Sequence, residues 1–149
     1  MQWKPHVTVA AIAQRDDKFL VVEEEDNELV VFNQPAGHLE QNETLIEAIK
    51  REVLEETAWD YQPESVTGIY LYHNPRVDIT YLRICFYGSC LNHYPDQKLD
   101  TGILRAHWMN MQQLEGNRDR LRSSLVLRCI EDFLAGNSYP LDILNHDLK

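Results

Sequence analysis

Basic residues are scarce in this chain: 14 Lys and Arg stand against 24 Asp and Glu, a net charge of −10. Nucleic-acid binders carry a basic footprint, so nucleic acid is not an expected partner. An acidic protein that handles an anionic substrate needs local positive charge from metal ions or a few placed Arg and Lys residues. No run of 18 apolar residues exists, so no membrane span is expected. The opening MQWKPHVTVAAIAQRDDK lacks a basic region, an apolar stretch and a cleavage site, and does not read as a signal peptide. Three scattered cysteines suggest reduced thiols in a cytoplasmic protein. Cys85, in a strand-like run, and Cys129, on a helix face, read as buried structural thiols. The six histidines show no zinc-site spacing, and no glycine loop of the P-loop kind is present. No repeat, low-complexity tract or linker interrupts the 149 residues, so one domain spanning 1–149 is expected.

What the chain does have is glutamate in one place. The stretch Gly37–Trp59, GHLEQNETLIEAIKREVLEETAW, holds six glutamates in 23 residues, the last three at Glu52, Glu55 and Glu56. Carboxylates packed this tightly repel unless a cation sits between them. Hard divalent ions such as Mg²⁺ take oxygen ligands and bridge carboxylates to substrate phosphates.

The geometry of the segment supports that reading. Thr44-Leu-Ile-Glu47 is a capping-box pattern that marks a helix start, and no Gly or Pro interrupts the residues up to Trp59. At about 100° per residue, Leu45, Ile49, Val53 and Ile46 fall within an arc of about 100°. Glu56 falls near 20° inside that arc, Glu52 near −20° beside it, and Glu55 near −80°. A solvated charged face would lie opposite the apolar stripe, and two of these three glutamates do not. Glu52 and Glu56 also stand one turn apart, an unfavourable spacing for like charges.

This segment resembles the Nudix box: Gly, five residues, Glu, seven residues, then Arg-Glu-apolar-any-Glu-Glu-any-Gly-apolar. Gly37, Glu43, Arg51, Glu52, Val53, Glu55, Glu56 and Trp59 match, and Ala58 stands where the family has Gly. Either Ala58 keeps the left-handed conformation, at about 1 kcal/mol, or the helix runs on past it. The resemblance implies a mixed β-sheet sandwiched between α-helices, and a Mg²⁺-dependent hydrolase of phosphoanhydrides in which Mn²⁺ can substitute. It implies that Glu52, Glu55 and Glu56, helped by the Gly37 carbonyl, hold the metal. Arg51 is then expected to pair with nearby carboxylates, Glu43 first, and Glu52 to act as general base. Asp100 is the candidate for an additional carboxylate from outside the helix.

Around the box, residues 6–13, 18–23, 28–33, 65–73, 78–89 and 103–109 read as strands. Asn33 to Gly37 reads as a loop and Ser123–Ala135 as an amphipathic helix with a serine cap, closed at Gly136. The architecture is α/β. The acidic run Glu23-Glu24-Glu25-Asp26, with Glu28, reads as a solvated hairpin end, a substrate-selecting role being the alternative. Gln34, His38 and the mid-strand Arg83 are the candidate substrate contacts, Arg83 as a phosphate clamp. Tyr70, Tyr72, Tyr81, Trp3 and Trp108 are candidates to stack on a ring, with core packing as the ordinary alternative.

The segments KPHVTVA, FNQPAGHLE, LDTGILRAHW and LRSSLVLRCIEDFLAGNSYPLDIL resemble a narrower group of Nudix phosphatases. That likeness implies release of orthophosphate from nucleoside di- and triphosphates, thiamine pyrophosphate and hydroxymethylpyrimidine pyrophosphate. A pyrophosphatase of nucleoside-diphosphate-linked compounds such as ADP-ribose is the alternative, distinguished by a nucleoside monophosphate product. A non-catalytic sensor on the same fold would usually lose box glutamates, and this chain keeps them. The expected partner is a small phosphoanhydride, and the expected assembly a monomer or small homo-oligomer.

Overall fold

The computed structural model describes residues 1–148. Seven strands are β1 (His6–Arg15), β2 (Lys18–Asp26), β3 (Leu29–Asn33), β4 (Ala36–His38), β5 (Trp59–Asn74), β6 (Ile79–His93) and β7 (Ile103–Asn110). Three α-helices are α1 (Leu45–Thr57), α2 (Met111–Gly116) and α3 (Leu125–Leu134).

The sheet has two parts joined at the β1–β2 hairpin. One part runs β4-β1-β6-β5, with β1 parallel to β6 and the other pairs antiparallel. The other is β3-β2-β7, antiparallel throughout. The sheet is therefore mixed, as the Nudix resemblance implied. Period-two alternation along β1 divides the core. Val9, Ala11 and Ala13 meet Ala48, Ile49 and Val53 of α1 on one face. Ala10 and Ile12 meet Leu127, Cys129 and Ile130 of α3 on the other.

Several sequence-based elements shift: β2, expected to end at residue 23, runs to Asp26, and β6, expected to end at residue 89, runs to His93. Gly37 lies in a short strand and not in a loop, because β4 pairs Thr8 with His38 and Ala10 with Ala36. The strand expected from residue 65 begins at Trp59. It carries Pro63 because β5 is an edge strand with a register shift between Pro63 and Ser65, where a missing N–H costs nothing. Helix α2 was not expected. It is six residues long, opened by an Asn110–Gln113 capping box. At α3 the residue before the helix, Ser124, makes no cap, while Ser123 Oγ accepts from Leu125 N–H. The chain does turn at Gly136, at φ 92°.

Helix α1 forms for the local reasons in its sequence. Thr44 Oγ1 accepts from Glu47 N–H at 3.1 Å, and Glu47 Oε1 accepts from Thr44 N–H at 2.9 Å. Its end resolves the choice at Ala58, which takes φ 61°, ψ 22° and donates its N–H to Leu54 O at 3.0 Å. The left-handed cap is kept without glycine.

Candidate active site

Helix α1 points its glutamates where the helical period puts them. Glu52 and Glu56 are each only 7% exposed, and Glu55 is more open to solvent. Glu56 Oε1 accepts from Ala36 N–H at 3.0 Å. The Glu52 carboxylate lies so close to Gly37 that any Cβ there would overlap it. The helix thus sets two buried carboxylates against the β4 backbone.

Arg51 gathers the surrounding acids. Its Nε donates to Glu43 Oε2 at 2.6 Å and its Nη2 to Glu43 Oε1 at 3.0 Å, a bidentate pair. Its Nη1 donates to Glu52 Oε1 at 2.7 Å and to Glu55 Oε2 at 3.4 Å, and its Nη2 also reaches the His38 carbonyl at 3.1 Å. The guanidinium therefore ties the helix to the loop before it. It holds the Glu43 carboxyl below its usual pKa through that hydrogen bond.

Charge is poorly balanced at the glutamates themselves. Burial pushes the Glu56 carboxyl up to about 9; the Ala36 N–H opposes this, and Glu52, Glu24 and Asp100 add to it. Glu56 forms no ion pair among the described residues. Burial also raises Glu52, against the lowering pull of Arg51. A buried carboxylate with a single neutral partner is costly, and the remedy is a cation. Hard oxygen donors from one helix face and an adjacent backbone suit Mg²⁺ or Mn²⁺. The residues fit such an ion, although among the described residues no three His, Cys, Asp or Glu side chains converge on one point. Glu52 and Glu55 turn to Arg51 and Glu56 to Ala36 N–H.

Asp100 sits beside this cluster. Its N–H donates to the Glu55 carbonyl at 2.9 Å, and its charge reaches both Glu52 and Glu56.

A cleft of about 390 Å³ opens from Glu56 and Gly37. Register explains its floor. Thr8 on β1 pairs with His38 on β4 and with Arg83 on β6, so these three side chains share one face of the sheet. Arg83 is 8% exposed, makes no ion pair among the described residues, and donates from Nη1 to Gln34 Oε1 at 2.9 Å. A buried guanidinium without a carboxylate is suited to an oxyanion.

Of the expected substrate contacts, Arg83 and His38 line the cleft. Gln34 does not. It is 1% exposed and lies beneath, holding Arg83, so its expected contact with substrate is corrected to a supporting one. Tyr72 and Tyr81, cross-strand partners, line the upper wall. Tyr70 is in the core with its hydroxyl on Asp132, Trp108 packs on Trp59, and Trp3 is exposed outside the cleft.

The acidic run also needs correction. Glu23 accepts from His107 and pairs with Arg105, and Glu24 is buried in the cleft wall against Arg122 at 2.7 Å. Arg122 went unnoticed, since a lone arginine before a helix carries no local signal. Glu24 had one: strand alternation places it on the face of Leu20 and Val22.

Carboxylates at the end of a cleft floored by arginine define a hydrolase of phosphoanhydride bonds. The chain belongs to the Nudix family: the NUDIX domain model matches residues 4–127. It is 39% identical over 143 residues to the phosphatase NudJ of Escherichia coli K12, covering 95% of this chain and 92% of that one. A Nudix hydrolase structure from Nitrosomonas europaea is 48% identical, covers 97% of this chain and 98% of its own, and superposes with a TM-score of 0.95. An ADP-ribose pyrophosphatase from Streptococcus suis shares the fold at 19% identity and a TM-score of 0.64, over 86% of this chain and 91% of its own. No helix among the described residues is long and apolar enough to cross a membrane.

Proposed function

We propose that this protein is a Mg²⁺-dependent phosphatase that releases orthophosphate from nucleoside di- and triphosphates, thiamine pyrophosphate and hydroxymethylpyrimidine pyrophosphate. The observation that carries the reading is the meeting of buried Glu52 and Glu56 with Gly37 at one end of a cleft whose floor holds Arg83, which makes no ion pair among the described residues. The likeness to NudJ along nearly the whole chain supports the phosphatase class over the ADP-ribose alternative.

Glu52, Glu55 and Glu56, with the Gly37 carbonyl, would hold the ion, and Asp100 stands near enough to add a carboxylate. A divalent ion there supplies charge neutralisation on phosphate oxygens and a lowered pKa for water. The side chains do the rest. Arg83, anchored by Gln34, grips the phosphate oxygens, and His38 borders the same floor. Glu52 takes a proton from the attacking water as general base. Arg51 holds Glu52 Oε1 and leaves Oε2 without a hydrogen bond among the described residues. Arg51 acts through Glu52 and Glu43, as a positioning residue. Free Cys85, Cys90 and Cys129 suit a reducing cytoplasm.

Hydrolysis in ¹⁸O-labelled water tests the reading. Attack on the terminal phosphorus places the label in orthophosphate. Label in the organic monophosphate alone means attack at the inner phosphorus and overturns the phosphatase assignment.

A further inference from the structure

Two polar side chains in the cleft wall have no role assigned in the phosphate chemistry above, although the charge of Glu24 reaches Glu56. Strand register pairs Val22 with Asn33 and Glu24 with Val31. Glu24 and Asn33 therefore stand on one face of the β2–β3 ribbon as diagonal neighbours, and both line the cleft. Each is more than nine-tenths buried.

Each has half of its side chain engaged by the protein. Arg122 Nη1 donates to Glu24 Oε1 at 2.7 Å, and Asn33 Oδ1 accepts from Gln34 N–H at 2.9 Å. The other halves, Glu24 Oε2 and Asn33 Nδ2, make no hydrogen bond among the described residues and are not sealed away. With Oδ1 held by a backbone donor, Nδ2 is the group Asn33 has left to offer in the cleft wall. Because Arg122 offsets the charge of Glu24, its free oxygen serves as an acceptor without fully repelling an anionic substrate. The ribbon thus offers one acceptor beside one donor. Tyr72 and Tyr81 give the same cleft aromatic surface for a flat ring. Tyr81 shares its strand face with Arg83, two residues on, which places the ring region next to the phosphate region.

We propose that Glu24 and Asn33 are specificity-determining residues for a flat nitrogen heterocycle with an amino group beside a ring nitrogen, the edge shared by adenine and cytosine. The amino group donates to Glu24 Oε2, and the ring nitrogen accepts from Asn33 Nδ2. A ring with a carbonyl beside a protonated nitrogen, as in hypoxanthine or uracil, meets both residues with the wrong polarity: oxygen faces carboxylate and N–H faces NH₂. Such mismatched buried polar groups discriminate strongly. The inference rests on the phosphoanhydride-hydrolase reading above and grades substrates within it.

Orthophosphate release is measured for four substrates: ADP, IDP, CDP and UDP. The expected result is kcat/KM at least tenfold higher for ADP than IDP and for CDP than UDP. Glu24→Gln, nearly isosteric, can present NH₂ to the carbonyl, so both ratios should fall at least tenfold, and thermal unfolding checks that the variant is folded. Equal kcat/KM for the amino and carbonyl members in the native protein overturns the inference, as do ratios unmoved in a folded Glu24→Gln variant. If that variant does not fold, the native ratios decide. No orthophosphate from any of the four overturns the phosphatase reading and this inference together. Release without discrimination overturns the inference alone.

Discussion

The carboxylate of Glu52 rests directly on the backbone of Gly37, at the position a Cβ would occupy. Glycine is required there for close approach between helix and strand. Gly37→Ala must push Glu52 away or shift β4. A displacement of about 1 Å in a catalytic group costs about 100-fold in rate. Turnover should fall by about that factor while circular dichroism still reports the fold. A Gly37→Ala protein with native kcat would separate Glu52 from the chemistry.

Glu56 gives a prediction in two parts. Glu55→Gln and Glu56→Gln should each lower turnover by about two orders of magnitude, because metal assistance supplies several kcal/mol. Excess EDTA should abolish activity in the unaltered protein. Near-native rates in either variant, or in EDTA, would contradict the metal assignment.

The second part concerns stability in EDTA. Burial raises the Glu56 carboxyl from an ordinary 4.5 to about 9. Its contribution to stability is complete below the unfolded value and is lost as pH rises through the folded one. Metal-free protein should therefore lose stability between about pH 4.5 and 9, and Glu56→Gln should flatten that slope. Thermal unfolding across this range, with and without Mg²⁺, reads it. A slope unaltered in the variant would assign the pH dependence elsewhere.

Arg83 should govern substrate binding. Hydrogen bonds to charged groups contribute about 1.5–3 kcal/mol, so Arg83→Ala should reduce kcat/KM by about ten- to a hundredfold. Arg83→Lys should recover part of that loss, since it keeps charge but not the fork. Gln34→Leu, which frees Arg83 without removing it, should cost less than Arg83→Ala. Steady-state kinetics on one diphosphate rank the three, and equal losses would make Arg83 a purely structural residue.

Ala58 offers a test away from the chemistry. Its left-handed backbone is strained by about 1–2 kcal/mol, while its methyl is buried and worth about 0.8 kcal/mol. Ala58→Gly should stabilise by less than about 1 kcal/mol with turnover unchanged. Chemical denaturation and a rate measurement settle it, and a loss of turnover at full stability would contradict the cap's passive role.

The amino-acid sequence by itself determined helix α1, its capping box, the inward turn of Glu52 and Glu56, and the family. All of these follow from contacts within a few residues, where the helical period and the cap residues act directly. The Arg51–Glu43 pair was legible for the same reason, at a separation of eight residues. Only the tertiary structure decided the rest of the site. Gln34 holds Arg83 across 49 positions, and Arg122 holds Glu24 across 98. The parallel pairing of β1 with β6 makes His38, Thr8 and Arg83 one row. Local sequence carries no record of such meetings, because strand register depends on which faces of distant segments are buried together. For that reason Glu24 read as a solvated charge, Gln34 as a substrate contact and Gly37 as a loop residue until the sheet had been assembled.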